Sequence, residues 1–311
     1  MKEVNKTPKI AIIVLNWNGW QDTVECLESL SQIEYQNFNI TVVDNGSTDN
    51  SIEQIKAWAS GKLRIKIIKL KHNIGYAKGN NAGIRDVLSD PGVRYILILN
   101  NDTIVSPDFL SCLAEILNKE KNVALAGPKL IDYKTGKYWQ SPLKNRLNLL
   151  TYLLFSTPIY WMFYRTLLHN FFKVKEEKPV KVYMVAGCAM FFRADILRDI
   201  GMFDENSFLY WEEFIIAEKL RERGLLTYFV PQSIIRHKLG AATQKMDPAE
   251  KTIAKLQSEA YFQSNYLKMP WLQRFIIKTV ELCIYFLLAV VSGSYRQKFG
   301  EIAHIIFYGK A

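Results

Sequence analysis

Four short apolar runs, each followed by a stretch of helical period, constrain this chain more than any other feature. Lys9-Ile-Ala-Ile-Ile-Val-Leu15 has the length and uniform character of a strand buried on both faces. Gln21 to Leu30 then places Val24, Leu27 and Leu30 on one helical face. Asn39 to Asp44 reads as a second strand. Ser51 to Ala59 reads as a helix entered through the capping residues Ser47 to Asn50. Leu63 to Leu70, Tyr76 to Leu88 and Tyr95 to Leu99 extend the series as strand, helix and strand. This alternation predicts an α/β fold, a mostly parallel sheet flanked by helices.

In such sheets ligands bind beyond the carboxyl ends of the strands. Here those ends are polar three times: Asn16-Trp-Asn-Gly19, Asp44-Asn-Gly-Ser-Thr-Asp49 and Asn100-Asn-Asp102. Turn chemistry explains any one of them. Three at the same edge point to a binding site. A carboxylate at Asp102 suits a hard divalent cation, which is commonly held by one or two carboxylates plus substrate phosphates.

Beyond residue 140 the pattern changes. Leu147 to Phe172 holds eight aromatic residues, and Lys173 to Lys181 is a charged loop. Val182 to Phe192 is apolar and broken by Gly187. Phe203 to Gly224 starts polar and becomes helical, and Tyr228 to Ile235 is strand-like. From Asp247 the pattern is helical, with a last helix expected over Gly300 to Phe307. A chain of 311 residues buries enough surface to fold without disulfides or structural metal. Its four cysteines form no Cys-x-x-Cys pair, and together with the polar start and absence of a signal-like run they suit a reducing cytoplasm.

The motifs, taken in order, resemble the family 2 glycosyltransferases, which have the GT-A nucleotide-diphospho-sugar transferase fold. They are Val14-Leu-Asn-Trp-Asn18, Val43-Asp-Asn-Gly-Ser-Thr-Asp49, Asn73-Ile-Gly-Tyr-Ala77 with Asn81-Ala-Gly83, and Leu99-Asn-Asn-Asp-Thr103. Ala186-Gly-Cys-Ala-Met190, Phe203-Asp-Glu205, Tyr210-Trp-Glu-Glu213 and His237 follow, so the resemblance covers about residues 9 to 240. Its flavour is that of rhamnosyltransferase-like members. It implies a catalytic domain over residues 1–245, with an aromatic-rich insertion at about 141–180, and a C-terminal helical appendage over 246–311.

The resemblance also implies roles. Asp44 would accept the imide N–H of uracil or thymine, which suits a UDP- or dTDP-sugar, dTDP-rhamnose included. Asn16, Asn73, Gly75, Asn81, Asn100 and Asn101 would line the nucleotide-sugar site, with Gly75 and Gly83 allowing close backbone approach. Asp102 would ligate Mg²⁺ or Mn²⁺, completed by His237. Asn100 stands where the family has an aspartate, so one negative charge is lost. Glu213, or its neighbour Glu212, would be the catalytic base. Here Glu213 replaces the family's aspartate, and Ile215 stands where the next family acid falls. Together these imply an inverting transfer to an acceptor hydroxyl. A nucleotidyltransferase is the competing class, disfavoured because Asn16 to Gly19 carries no Lys or Arg for phosphate. A non-catalytic nucleotide-sugar-binding protein is the third.

The net charge of +10 narrows the partners. Tyr133 to Lys175 has seven basic residues and no acidic one, and Trp271 to Ala311 has five against two. Both segments are aromatic and apolar, whereas a nucleic-acid reader spreads its basic residues along a polar face. No nucleic-acid partner is expected. Leu282 to Tyr295 is uncharged for 14 residues, too short for the roughly 20 that span a bilayer. An interfacial helix flanked by Arg274, Lys278, Arg296 and Lys298 is expected, with Leu147 to Phe172 as a second contact. That suits a glycan or lipid-linked oligosaccharide acceptor at the cytoplasmic face of the cell membrane. The oligomeric state is not legible.

Overall fold

The computed structural model describes residues 7–138, 142–147, 149, 152–153, 177–207, 209–238 and 247–309. Most of the aromatic-rich insertion, including Tyr160 to Phe172, lies outside the described residues.

The expected alternation is present. Strands β1 (Lys9–Asn16), β2 (Phe38–Asp44), β3 (Ile65–Lys69) and β4 (Val93–Asn100) alternate with helices α1 (Trp20–Leu30), α2 (Ser51–Ala59) and α3 (Tyr76–Val87). β5 (Thr103–Val105), α4 (Phe109–Lys119) and β6 (Val123–Asp132) follow. Then come β7 (Val180–Val182), β8 (Ala189–Arg193), α5 (Ala194–Asp199), α6 (Glu212–Glu222) and β9 (Leu226–His237). Helices α7 (Pro248–Asn265), α8 (Trp271–Val291) and α9 (Gly293–Tyr308) close the chain.

Among the described residues the strands form one mixed sheet in the order β3-β2-β1-β4-β8-β6-β9-β5, with β7 also on β9. β3, β2, β1 and β4 are mutually parallel. β8 runs antiparallel between β4 and β6. The period of two sorts β1 between two cores: Ile10, Ile12 and Val14 pack with α1 and α4, while Ala11 and Ile13 pack with α3 and α5. Both faces are covered, which is why β1 reads as an unbroken apolar run.

A third cluster ties the appended helices to this frame. Phe262 of α7 and Ile277 of α8 join Trp211, Phe214 and Ile215 of the α6 region with Tyr152 and Met184. Leu147, Leu149 and Leu153 also pack against it, so this end of the insertion rests on protein. Ile215, at the position of a family acid, is 1% exposed here, where a carboxylate would be desolvated.

α2 is entered through Ser47 to Asn50 as expected, with Asp49 accepting from the Ser51 amide and Ser47 serving the strand edge. Two local expectations need correction. The last helix begins at Gly293 and runs through Gly300, because Ile302, Ile305 and Ile306 anchor it, outweighing the ~1 kcal/mol glycine penalty. The flanking cations do not simply point to solvent. Arg274 donates to Ser264, Lys278 to the Phe307 carbonyl, Arg296 to the Ala289 and Val290 carbonyls, and Lys298 pairs with Glu301. Leu272, Phe275, Ile276, Phe286, Leu287, Val290 and Val291 form an exposed stripe along α8. No helix among the described residues is long and apolar enough to cross a membrane.

Candidate active site

The parallel strands end together, so their terminal side chains meet. Asn16 and Asp44 are register partners at the ends of β1 and β2, and the Asn16 amide donates to Asp44 Oδ1 at 2.9 Å and to Ser47 Oγ at 3.1 Å. Asp44 Oδ2 accepts from the Ser47 amide at 3.1 Å. Thr23 donates to Asn16 Oδ1 at 2.7 Å, and Asn101 Nδ2 reaches Thr23 Oγ1 at 3.0 Å. The chain Asp44–Asn16–Thr23–Asn101 thus welds three strand ends and α1 into one polar edge. Asn16 and Asp44 are both fully enclosed. In this conformation they hold the rim in place, while Asn18, Ser47 and Thr48 present its accessible atoms.

A second polar group adjoins it. Asn45 Nδ2 donates to Asn73 Oδ1 at 3.0 Å and to the Gly75 carbonyl at 3.2 Å, and Asn73 Oδ1 also accepts from the Gly75 amide. Gly75 opens α3 at φ +87°, a conformation that favours glycine. Asn81 is not brought here. Its amide donates to Phe203 O and Glu205 and accepts from Phe203 N, which fixes the Phe203–Glu205 turn on the far side of α3. Gly83 faces the sheet: a Cβ there would stand 2.7 Å from Ile13 Cγ2 and 2.9 Å from Val43 Cγ2. Its role is close packing of helix on sheet.

Asp102 sits in the turn between β4 and β5, and β5 pairs antiparallel with β9 so that Thr103 faces His237. His237 Nε2 stands 3.0 Å from Asp102 Oδ1. Lys238 locks the pair from behind, its amide donating to the Asp102 carbonyl and its ammonium pairing with Asp22 and Glu25. Burial disfavours a charged His237, but Cys188 and Asp102 outweigh it and hold the imidazole well above its ordinary pKa. His237 Nδ1 is buried without a partner. A carboxylate beside an imidazole with an unsatisfied nitrogen is a donor set that fits Mg²⁺ or Mn²⁺ with substrate oxygens completing the shell. Among the described residues no group of three or more His, Cys, Asp or Glu converges.

Glu212 and Glu213 open α6 after two consecutive residues in the left-handed region, Tyr210 at φ +71° and Trp211 at φ +69°. Side chains adopt this conformation at a cost, and surrounding structure must hold it. Trp211 supplies the hold, stacking on Tyr152 at 5.4 Å and on Phe262 at 5.2 Å. Glu212 is buried with Oε1 unpartnered, and burial plus the charge of Glu213 raises its pKa to about 8. Burial likewise pushes Glu213 upward. Gly187 leaves room beside it, since a Cβ there would sit 3.5 Å from Glu213 Oε2.

Tyr76 links the two halves. Its hydroxyl donates to the Gly187 carbonyl at 2.7 Å. Burial pushes the phenol well above its ordinary pKa, and the charges of Glu212, Cys188, Glu213 and Asp102 add to the effect. One buried phenol therefore feels both the carboxylate pair and the candidate metal ligand. Nothing in the sequence singles out a site role for Tyr76, Asn45 or Thr23, or for Ser47 beyond capping. Tyr76, Asn45 and Ser47 lie within the quoted motifs, and that adjacency is the available signal.

A mixed sheet carrying these groups at its parallel strand ends defines the GT-A class. Residues 11–201 match the family described as Glycosyl transferase family 2, and the chain belongs to that family. An uncharacterised glycosyltransferase of Haemophilus influenzae is 23% identical over 244 residues, covering 75% of this chain and 66% of that protein. This chain therefore matches just under two thirds of that relative's length. The N-acetylglucosaminyl-diphospho-decaprenol L-rhamnosyltransferase of Mycobacterium tuberculosis is 20% identical, covering 83% of this chain and 85% of its own. Among solved structures, a mannosyltransferase of Pyrobaculum calidifontis in complex with GDP-Man and Mn²⁺ superposes with a TM-score of 0.58 at 15% identity. That superposition covers 96% of this chain and 76% of the other, and bears out the GT-A fold.

Proposed function

We propose that this protein is an inverting, metal-assisted glycosyltransferase that moves a sugar from a nucleotide-diphosphate donor to an acceptor hydroxyl. The observation that carries the reading is Tyr76, whose hydroxyl bonds the Gly187 carbonyl beside Glu213 and whose phenol feels the charges of both the carboxylate pair and Asp102. An acceptor hydroxyl is a weak nucleophile until a base within hydrogen-bond reach takes its proton. Glu213, whose pKa burial raises, is that base, and Glu212 is its neighbour. The acceptor oxygen bonds to the anomeric carbon, the bond to the diphosphate oxygen breaks, and its electron pair leaves with the nucleotide. The proton goes to Glu213. Asp102 and His237 would hold Mg²⁺ or Mn²⁺, which when bound would supply positive charge to offset the departing diphosphate.

Asp44, Asn16, Asn73, Gly75, Asn100 and Asn101 shape the nucleotide-sugar side. The donor class is a UDP- or dTDP-sugar, with dTDP-rhamnose favoured by the resemblance to rhamnosyltransferases and by the name of the mycobacterial relative. The same name favours a lipid-linked acceptor. We therefore place the protein at the cytoplasmic face of a membrane, touching it through the exposed stripe of α8, which is about 30 Å long.

A panel of UDP-, dTDP- and GDP-sugars with Mn²⁺, read by thermal shift and by sugar release, tests the donor. Stabilisation by one nucleotide fixes its class, and none by any nucleotide sinks the reading. Asp102→Ala is expected to lose at least 10²-fold in transfer, the scale of a lost metal contact. Retained activity indifferent to chelator would contradict the metal role. Co-sedimentation with anionic vesicles tests the membrane contact, and a protein left wholly in the supernatant overturns it.

A further inference from the structure

A cavity of ≈ 290 Å³ opens beside Glu213, and its two walls come from different parts of the chain. One wall is the strained turn into α6, with Tyr210, Trp211 and Glu213 itself. The other is helix α7 of the appended segment, contributing Lys251 and Lys255. The two lysines are four residues apart, so they project from one face on successive turns. Thr252 between them bonds Tyr295 of α9 at 3.0 Å, which fixes the rotation of α7 about its axis. Phe262, further along α7, stacks on Trp211 and sets its distance from α6. The lysines are therefore positioned by packing and not by chance.

The electrostatics of this cavity are lopsided. Its lining holds one carboxylate, Glu213, and two ammonium groups. Among the described residues the Lys251 side chain makes no hydrogen bond or ion pair, whereas the Lys255 ammonium also acts on the buried Glu259 and Glu281. It also stands in the first turn of α7, where the helix dipole disfavours a cation. A cation held against the dipole, beside a second one, at the mouth of the base, is arranged for an anionic ligand. Lysine is a point-charge phosphate binder, and two on adjacent turns match the two charged centres of a diphosphate.

We infer that Lys251 and Lys255 form an acceptor-side phosphate subsite, so that the acceptor sugar carries a phosphate or diphosphate ester while its free hydroxyl meets Glu213. This rests on the transferase reading above and names its acceptor class. It also gives the C-terminal helices a role in specificity: without α7 the cavity has one wall.

The test compares acceptors sharing one sugar: a neutral alkyl glycoside, a water-soluble diphosphate ester, and the same diphosphate on a polyprenyl chain in detergent. The wild-type protein is expected to favour the phosphorylated forms at least 10-fold in kcat/KM. The double variant Lys251→Ala with Lys255→Ala is expected to bring that preference within twofold, and Lys251→Arg with Lys255→Arg to keep most of it. Equal use of the soluble and polyprenyl esters assigns recognition to the phosphate alone. Preference for the polyprenyl form, lost in the alanine variant, assigns it to a lipid-borne headgroup; both support the subsite. A wild-type protein indifferent to the phosphate, or an alanine variant that keeps the preference, overturns it. So does a variant that loses affinity for the free nucleoside diphosphate to the same extent, which would place the lysines on the donor. If no nucleotide sugar yields transfer or sugar release with any acceptor, the transferase reading itself fails, an outcome distinct from transfer without phosphate preference.

Discussion

Two buried glutamate pairs, Glu212 with Glu213 and Glu259 with Glu281, are driven toward their protonated forms by the same cause, burial. Their surroundings differ. Glu212 and Glu213 are adjacent in sequence, follow two left-handed residues and border an open cavity at Glu213. Glu259 of α7 and Glu281 of α8 are brought together only by helix packing, and Glu259 Oε2 and Glu281 Oε1 are buried without a hydrogen-bond partner. Tyr152 donates to Glu259 at 2.9 Å, and Gln263 donates to Tyr152 at 3.2 Å. Neither residue of that second pair lines the cavity beside Glu213 or the one bordered by Gln263 and Lys278. A raised carboxyl pKa thus marks burial, and only access and partners separate a catalytic acid from a structural one.

The largest expected effect falls on the first pair. Glu213→Gln keeps the shape and removes the proton acceptor, so kcat is expected to fall by about 10²–10⁴-fold, the usual contribution of a general base. Thermal unfolding should confirm an intact fold. Loss of less than tenfold would move the role to another group. Glu212→Gln should cost less, about tenfold, because it alters the base's surroundings and not the base. Its signature is in the pH profile. A base must be ionised, so kcat/KM should rise with pH along the titration of the pair, whose Glu212 member sits at about 8. Removing the neighbouring charge should shift that rising limb to lower pH. A limb that stays in place would uncouple the two residues.

Glu281→Gln makes the opposite demand of the second pair, with transfer expected within twofold of wild type. Stability should change with pH. A carboxyl raised in the folded state contributes stability that is full below the ordinary carboxyl range near 4.5 and is lost as pH rises through the folded value. The wild type should therefore lose stability as pH rises above the ordinary carboxyl range. Glu281→Gln, which cannot ionise, should flatten that slope and raise the unfolding midpoint at pH 8, by about 2–4 °C per kcal/mol gained. An unchanged slope would show that the pair is not what titrates.

The two pairs also mark how far residues alone can be read. β1 to β4 and their helices were legible because an unbroken apolar run buried on both faces leaves few alternatives. Asp102, His237, Glu212 and Glu213 were legible as motif positions, and the fold does bring their elements to one end of the sheet. Asn81 was misleading: its neighbours in sequence belong to the polar rim, but one helical turn carries its amide to the Phe203 turn. Glu281 read as an interruption of an apolar helix. Its partner lies 22 residues earlier on another helix, and nothing in either local pattern encodes that meeting. The left-handed turn at Tyr210 and Trp211 is equally silent, since neither residue type favours it.

Tyr152→Phe sharpens the comparison with the smallest effect. Tyr152 belongs to both regions: its hydroxyl serves Glu259, while its ring stacks on Trp211, which holds the turn into Glu212. Phenylalanine keeps the ring and deletes the hydroxyl. If the ring alone positions the catalytic turn, kcat and KM should stay within twofold of wild type. The lost hydrogen bond should cost about 1 kcal/mol, more to a charged acceptor. Because ionised Glu259 accepts that bond more strongly than the protonated acid, the loss should be larger at pH 8 than at pH 5. Urea unfolding at the two pH values measures it. A fall in kcat without loss of stability would instead mean that the hydroxyl network reaches the catalytic turn, making the two glutamate pairs one coupled system.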